Sequence, residues 1–177
     1  MGDRPCALLI VFGGLPGTGK TTIAKILALR CGAVYLRIDS IEQKIREANV
    51  LQADVGPAGY MAAYAIAEDN LRLGHVVIAD SVNPLVVTRA AWRTVAHAGS
   101  ADLLEVEVIC SDEAEHRRRV ETRSSDVPGL TLPDWHAVEH RDYDPWLEPH
   151  LTIDTATSNV EEASTRILAE IGGRLRG

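Results

Sequence analysis

The sequence predicts an α/β domain in which a parallel sheet lies between two layers of helices. Five short apolar runs alternate with helical patterns along the 177 residues, the order of a sheet crossed by helices. The first run, "ALLIVF", opens directly on the glycine-rich stretch "GGLPGTGKTT". A hydrophobic share of 46% with only 5% aromatic residues suits a core of Leu, Ile, Val and Ala. A chain of this length buries enough surface to fold as one unit, so we expect a single domain over residues 1–177.

Each element follows from a local pattern. "ALLIVF" (7–12) reads as a fully buried strand, and a helix from about Lys20 to Arg30 puts Ile23, Ile26, Leu27 and Arg30 on one stripe. Gly32 serves as its C-terminal cap. "AVYLRID" (33–39) is the second strand, after which Ser40 and Gln43 form a capping-box pair for a helix through Ala48. "ADVGP" breaks the chain before a helix from about Pro57 to Leu73, ended by Gly74. "HVVIAD" (75–80) is the third strand, followed by a helix from about Pro84 to Ala98. "LLEVEVIC" (103–110) is the fourth, and its alternation predicts a place nearer the sheet edge. A helix from about Asp112 to Arg123 leads into "SSDVPGLTLPD", the most loop-like segment, and Thr131 and Asp134 begin a short helix to about Arg141. "HLTIDT" (150–155) is the fifth strand, and a final helix runs from about Asn159 to Leu175. Five strands, each followed by helix and without repeats or linkers, make one three-layer domain.

Charge narrows the function classes. A net charge of −7 speaks against a general nucleic-acid binder, which needs a basic surface, but allows a small anionic ligand in a locally basic pocket. Cys6, Cys31 and Cys110 lack metal-ligand spacing and sit in or beside apolar runs, so they read as small buried thiols. The six histidines are scattered without ligand spacing, and no zinc site is assigned. No stretch has the apolar length of a membrane span and "MGDRPC" is no signal peptide, so a cytoplasmic protein without a membrane partner is expected.

The glycine stretch fits G-x-x-x-x-G-K-[ST], with Gly14, Leu15, Pro16, Gly17, Thr18, Gly19, Lys20, Thr21 and Thr22 in a loop between strand and helix. Glycines leave no Cβ in the way, so backbone N–H groups can surround phosphate oxygens at the positive end of the helix. Lys20 would reach the β- and γ-phosphates, and the Thr21 hydroxyl would ligate Mg²⁺. Guanine-specific relatives of this loop carry Asn-Lys-x-Asp. The three lysines, Lys20, Lys25 and Lys44, lie in no such element, so ATP with Mg²⁺ is the expected pair.

Asp80, at the end of the third strand, fits the second acidic partner of the metal, through water or directly. A capping or turn aspartate is the plain alternative. Ser81 follows where many ATPases place a water-activating glutamate, which favours transfer to a bound hydroxyl over hydrolysis. Asp39, expected at the C-terminal end of the second strand, could orient that hydroxyl and accept its proton. Alternatively it answers the dipole of the next helix. In "EHRRRVETR", Arg119 and Arg123 are four apart and share a face before a loop that reads as a lid, about 117–142. Arg117 and Arg118 read as a solvated face. On the acceptor side stand Asn83, Arg46 and Arg89, the two arginines dividing evenly between solvent and pocket. Tyr60 and Tyr64 read as core residues with a polar tip. Trp135, Arg141, Tyr143 and Trp146 are candidates to pack the lid hinge.

Together these segments resemble the small P-loop kinases related to chloramphenicol phosphotransferase, zeta toxin, gluconate kinase and phage polynucleotide kinase. "GGLPGTGKTT", "RIDSIE", "VVIADSVNP", "ICSDEAEHRRRVETR" and "IDTA" occur in the family's order over nearly the whole chain. Bacterial kinases and AAA-type ATP-binding proteins without an assigned substrate look most alike. The resemblance implies a P-loop nucleoside triphosphate hydrolase fold with sheet order 2-3-1-4-5 and a helical lid. It also implies ATP-dependent phosphotransfer, with Lys20, Asp39, Arg119 and Arg123 catalytic and Asp154 and Thr155 near adenine. The acidity, the lack of a phosphatase domain and the short chain depart from polynucleotide kinases and zeta toxins. A small-molecule hydroxyl acceptor is therefore expected, on an antibiotic, a sugar acid or a nucleoside, in a monomer or homodimer. The rivals are a nucleotide-dependent switch or accessory ATPase, and a polynucleotide 5′-hydroxyl kinase.

Overall fold

The computed structural model of the chain describes residues 7–49 and 54–175. In chain order it contains β1 (Leu8–Gly13), α1 (Lys20–Cys31), β2 (Val34–Arg37), α2 (Ile38–Glu47), α3 (Ala58–Arg72) and β3 (Val76–Asp80). These are followed by α4 (Val86–Ala98), β4 (Asp102–Ile109), α5 (Glu113–Thr122), α6 (Trp135–Glu139), β5 (Leu151–Asp154) and α7 (Val160–Arg174). The strands form one parallel sheet in the order β2-β3-β1-β4-β5.

β1 lies at the centre, and its alternating side chains feed two cores. Leu8, Ile10 and Phe12 pack with Ile23 and Leu27 of α1 and Ile167 and Ile171 of α7. Leu9 and Val11 face Ala63, Ala67 and Leu71 of α3 and Trp92 and Val95 of α4. With both faces covered, β1 has no polar position, as its uninterrupted apolar run requires. Register then fixes where the loops meet. Phe12 and Arg37 both pair with Asp80, so β1, β2 and β3 end at one level, under the chain that leaves them.

Several local expectations meet their elements. Gly32 ends α1 at φ 59°, its N–H donating to the Ala28 carbonyl. α7 starts at a capping box in which the Asn159 side chain accepts from Glu162 while Glu162 answers the Asn159 N–H. α6 is shorter than expected and begins after Asp134, which accepts from the Ala137 N–H; Thr131 lies outside it.

Three expectations are corrected. β2 stops at Arg37, so Asp39 sits in the first turn of α2 rather than on a strand end, and Ser40 lies inside the helix instead of capping it. β4 is an interior strand between β1 and β5. Its alternation has another cause: Leu104, Val106 and Val108 line one core, whereas Glu105 on the opposite face pairs with Arg93 of α4 at 3.0 Å. Cys31 and Cys110 are free and only half-buried, and Cys6 lies outside the described residues. No helix of the described residues is long and apolar enough to cross a membrane.

Candidate active site

The glycine loop fills the turn between β1 and α1, and the fold leaves it no room for side chains. Gly14 has φ 136°, and a Cβ there would stand 2.1 Å from the Val108 carbonyl oxygen of β4. Gly17, at φ 90°, presses against Val120 of α5, where a Cβ would come within 2.6 Å of a methyl group. The loop is braced by its own polar groups. Thr18 Oγ1 donates to the Leu15 carbonyl at 2.9 Å, and Thr155 Oγ1 donates to the Thr18 carbonyl at 2.8 Å. His116 of α5 is buried with Nε2 2.8 Å from the Pro16 carbonyl, so the ring donates there, and its edge meets Trp135. His116 gave no signal in the sequence, because the contact spans 100 positions.

Lys20 folds back over this loop, its ammonium 3.4 Å from the Leu15 carbonyl. Burial lowers its pKa; Asp80 and Asp39 pull the other way, and Arg123 and Arg141 add to the lowering. Lys20 thus shares one field with both aspartates. Asp80 is buried and accepts a 2.6 Å hydrogen bond from the Tyr35 hydroxyl of β2. Burial, then the adjacent carboxylate, pushes the Tyr35 hydroxyl far up, so it stays a donor.

A cleft of about 1100 Å³ opens from the loop, lined by Lys20, Thr21, Thr22, Asp39, Glu42 and Arg46, among others. Asp39 is 44% exposed there, with Arg37 Nε 4.0 Å away. Arg123 also faces the cleft, with Nε and Nη2 buried and unpartnered among the described residues. Burial lowers its pKa against the pull of Asp39. An unpaired buried guanidinium beside a phosphate-type loop is a ready anion seat. Arg123 follows the end of α5 in extended conformation, so it does not share a helical face with Arg119. Arg119 instead donates to Glu115 at 2.8 Å, to Thr155 Oγ1 at 2.9 Å and to the Thr155 carbonyl at 3.1 Å. Arg117 and Arg118 form exposed pairs with Glu121 and Glu115, as a solvated face does.

Sequence reading missed the roles of three further groups, Arg37, Lys25 and Asp126. Arg37 donates to Asp126 at 2.7 Å, and Lys25 pairs with the same carboxylate, so the 124–134 segment is fastened across the cleft to β2 and α1. These contacts, the Lys25 hydrogen bond first, push the Asp126 carboxyl down to about 2. Arg141 lines the cleft beside them.

The other candidates separate. Arg46 reaches the cleft, paired with Glu42 at 3.4 Å. Tyr60 and Tyr64 border the cleft with their rings tilted against one another, and Tyr64 stands edge-on to Trp92. Asn83 is fully buried with φ 50°, its backbone N–H donating to the Tyr60 hydroxyl. Arg89 is corrected: it is buried, donates to the carbonyls of Asn83, Pro84, Asp144 and Pro145, and lies 4.9 Å over the Trp146 ring. Its guanidinium ties α4 to the chain before β5 and faces no cleft. Asp154 is likewise turned to its own strand end, accepting from the Ser111 N–H and hydroxyl and the Ala156 N–H. Thr155 meets the loop, with its methyl 3.7 Å from where a Gly19 Cβ would stand.

The AAA_33 family model, described as AAA domain, matches residues 9–138. No curated protein matches the sequence. Among solved structures, a Chloroflexus aurantiacus J-10-fl protein provisionally assigned as a kinase is 20% identical over 98% of this chain and 100% of its own, with a TM-score of 0.74. The Mycobacterium tuberculosis APS kinase in complex with AMPPNP and APS is 19% identical over 95% and 99%, TM-score 0.68. A gluconokinase from Sinorhizobium meliloti 1021 is 18% identical over 97% and 94%, TM-score 0.63. Likenesses at these identities show a shared fold.

Proposed function

The chain belongs to the AAA domain family, and from that premise we propose that it is an ATP-dependent kinase that phosphorylates a hydroxyl of a small molecule. The observation that carries the reading is the convergence of Lys20, Asp39 and Arg123 at the mouth of one cleft on the glycine loop. The similarity to an APS kinase holding AMPPNP, and to a gluconokinase, supports a nucleotide and a small acceptor. The acting unit is the single domain of residues 1–177, with 117–142 as its lid.

In this reading the loop N–H groups and Lys20 hold the β- and γ-phosphates. The acceptor oxygen forms a bond to the γ-phosphorus as the bond to the β–γ bridging oxygen breaks, and its electron pair leaves with ADP. Asp39 receives the hydroxyl proton and passes it to solvent. Arg123 turns its free N–H groups to the charge on the transferring group. Mg²⁺ fits the oxygen donors present: Thr21 lines the cleft and Asp80 is held by Tyr35. Among the described residues no group of three or more His, Cys, Asp or Glu forms a metal cage, which suits an ion held by one carboxylate and substrate phosphates. When bound, the ion neutralises phosphate charge.

Calorimetry with AMPPNP tests the premise. Wild-type protein binds it, and Lys20→Ala weakens binding at least about tenfold while the melting temperature holds. Equal affinities in two folded proteins would remove the loop from nucleotide binding.

A further inference from the structure

The cleft has two chemically different halves, and only one of them suits phosphate. Cations crowd the loop end, where Lys20, Arg37, Arg123 and Arg141 lie. The far half is walled by two helices. Along α3 and its N-terminal cap, Pro57, Tyr60, Met61 and Tyr64 follow the i, i+3, i+4, i+7 spacing of a single face. On the opposite wall Val87 and Ala91 of α4 do the same.

Tyr60 and Tyr64 also pack against the core, whereas Pro57, Met61, Val87 and Ala91 do not. α3 buries a different row, Gly59, Ala63, Ala67 and Leu71, against the sheet, and α4 buries Trp92, Val95 and Ala96. Each helix therefore carries a second apolar face directed at the cleft. Met61 is left 62% exposed and Val87 68% exposed. A pair of large apolar side chains standing wet across a concave cleft marks a ligand wall.

Most polar groups nearby are already engaged, the buried Ser81 hydroxyl, without a partner among the described residues, being the exception. The Tyr60 hydroxyl accepts from the Asn83 N–H, and the Tyr64 hydroxyl donates to the Thr88 carbonyl, so the rings offer faces more than polar tips. Arg46, the cation on this side, pairs with Glu42 at 3.4 Å and lies 4.0 Å from Asp54. Burial raises the Glu42 pKa, a sign of a poorly hydrated position. A carboxylate-bearing acceptor would meet Glu42 and Asp39 without a free counter-charge, and a polyol would find its hydroxyls against apolar walls.

We propose that this half of the cleft is an acceptor subsite for an uncharged alcohol with an apolar body, its hydroxyl directed to Asp39 and the apolar part held between α3 and α4. The proposal rests on the kinase reading for the direction of the hydroxyl, but the apolar wall itself can be tested without catalysis.

Linear alcohols from 1-butanol to 1-octanol serve as probes, with D-glucitol and D-gluconate as six-carbon polar controls. Binding is measured by ligand-observed NMR with and without AMPPNP, and ADP release is measured with Mg-ATP. Affinity should rise by about fourfold per methylene, the effect of burying one such group. 1-Hexanol should displace either polar six-carbon compound. Met61→Glu and Val87→Glu, both at wet positions that tolerate charge, should each abolish the dependence on chain length. Leu29→Glu, at an 85% exposed apolar site on α1 away from the cleft, should retain it. Affinity that is flat with chain length, or tighter binding of D-gluconate, would overturn the subsite while AMPPNP binding upheld the kinase reading. Length-dependent alcohol binding without AMPPNP binding would do the reverse.

Discussion

Replacing Asp39 by Asn separates chemistry from stability, because the structure places this carboxylate in two roles at once. It is the only acidic residue in the first turn of α2, whose N-terminal cap, Arg37, supplies no side-chain hydrogen bond. Its loss therefore removes a favourable charge at a helix N-terminus, worth about 0.3–1 kcal/mol. At 44% side-chain exposure, solvent screening puts the value toward the lower end. For a chain of this size, that corresponds to a fall in melting temperature of about 1–4 °C. Nucleotide binding should hold or tighten slightly, since Lys20, Arg37 and Arg123 then face one anion fewer. Phosphoryl transfer should fall by about 10²- to 10⁴-fold if the carboxylate receives the acceptor proton. The assay is melting temperature, AMPPNP affinity and acceptor-dependent ADP release on one preparation. A lower melting temperature with unchanged turnover would reduce Asp39 to a helix-end charge and refute its catalytic role.

Three further outcomes follow from the geometry. Arg123→Ala should depress turnover on the order of 10³-fold with little change in AMPPNP affinity, whereas Arg118→Ala, in an exposed pair with Glu115, should leave both unchanged; equal effects at the two positions would return Arg123 to solvent. Tyr35→Phe strips buried Asp80 of its donor, which should cost about 1–3 kcal/mol and raise the Mg²⁺ concentration needed for half-maximal ADP release; a metal titration identical to wild type would rule out Asp80 as a metal partner. Asp126 has a folded pKa of about 2 against 3.8 in a free chain, so its clasp is present at pH values above about 4 and is lost as pH falls toward 2. Asp126→Asn should open the 124–134 segment to chymotrypsin, which can cut after Leu130, at neutral pH, and half-molar salt should do so partially because the pair is half-exposed; unchanged cleavage would dissolve the clasp.

What the sequence disclosed divides by the range of the causes. The glycine loop was legible because its demands are local: a strand before it, a helix after it and glycines where Val108 and Val120 approach. Strand order came from the family resemblance and is met by the structure. The end of β2 was misplaced because "RID" continues an apolar run, while the backbone turns helical at Ile38 without a capping side chain to announce it. Arg37 went unnoticed because its partner lies 89 positions away, and Tyr35 because it finds Asp80 only when β2 and β3 align. In sequence Arg89 divides evenly between solvent and pocket, and it occupies neither. It is buried because two carbonyl pairs, 83–84 and 144–145, converge on it only in the folded chain.

The arrangement of Arg89 and His116 bounds how this protein can diversify. His116 pins α5 to the glycine loop, and Arg89 pins Asp144 and Pro145 to the start of α4, with Trp146 against Gly13. Between these two staples the chain leaves and returns to fixed points. The stretch from Ser124 to Asp134 can then lengthen, shorten or change composition without shifting the sheet ends or the loop, since extra loop residues cost little closure entropy. Exchange of this interval between relatives should change how the segment closes over the cleft while preserving nucleotide affinity and the acceptor preference set by α3 and α4, so it behaves as a cassette on a constant chassis.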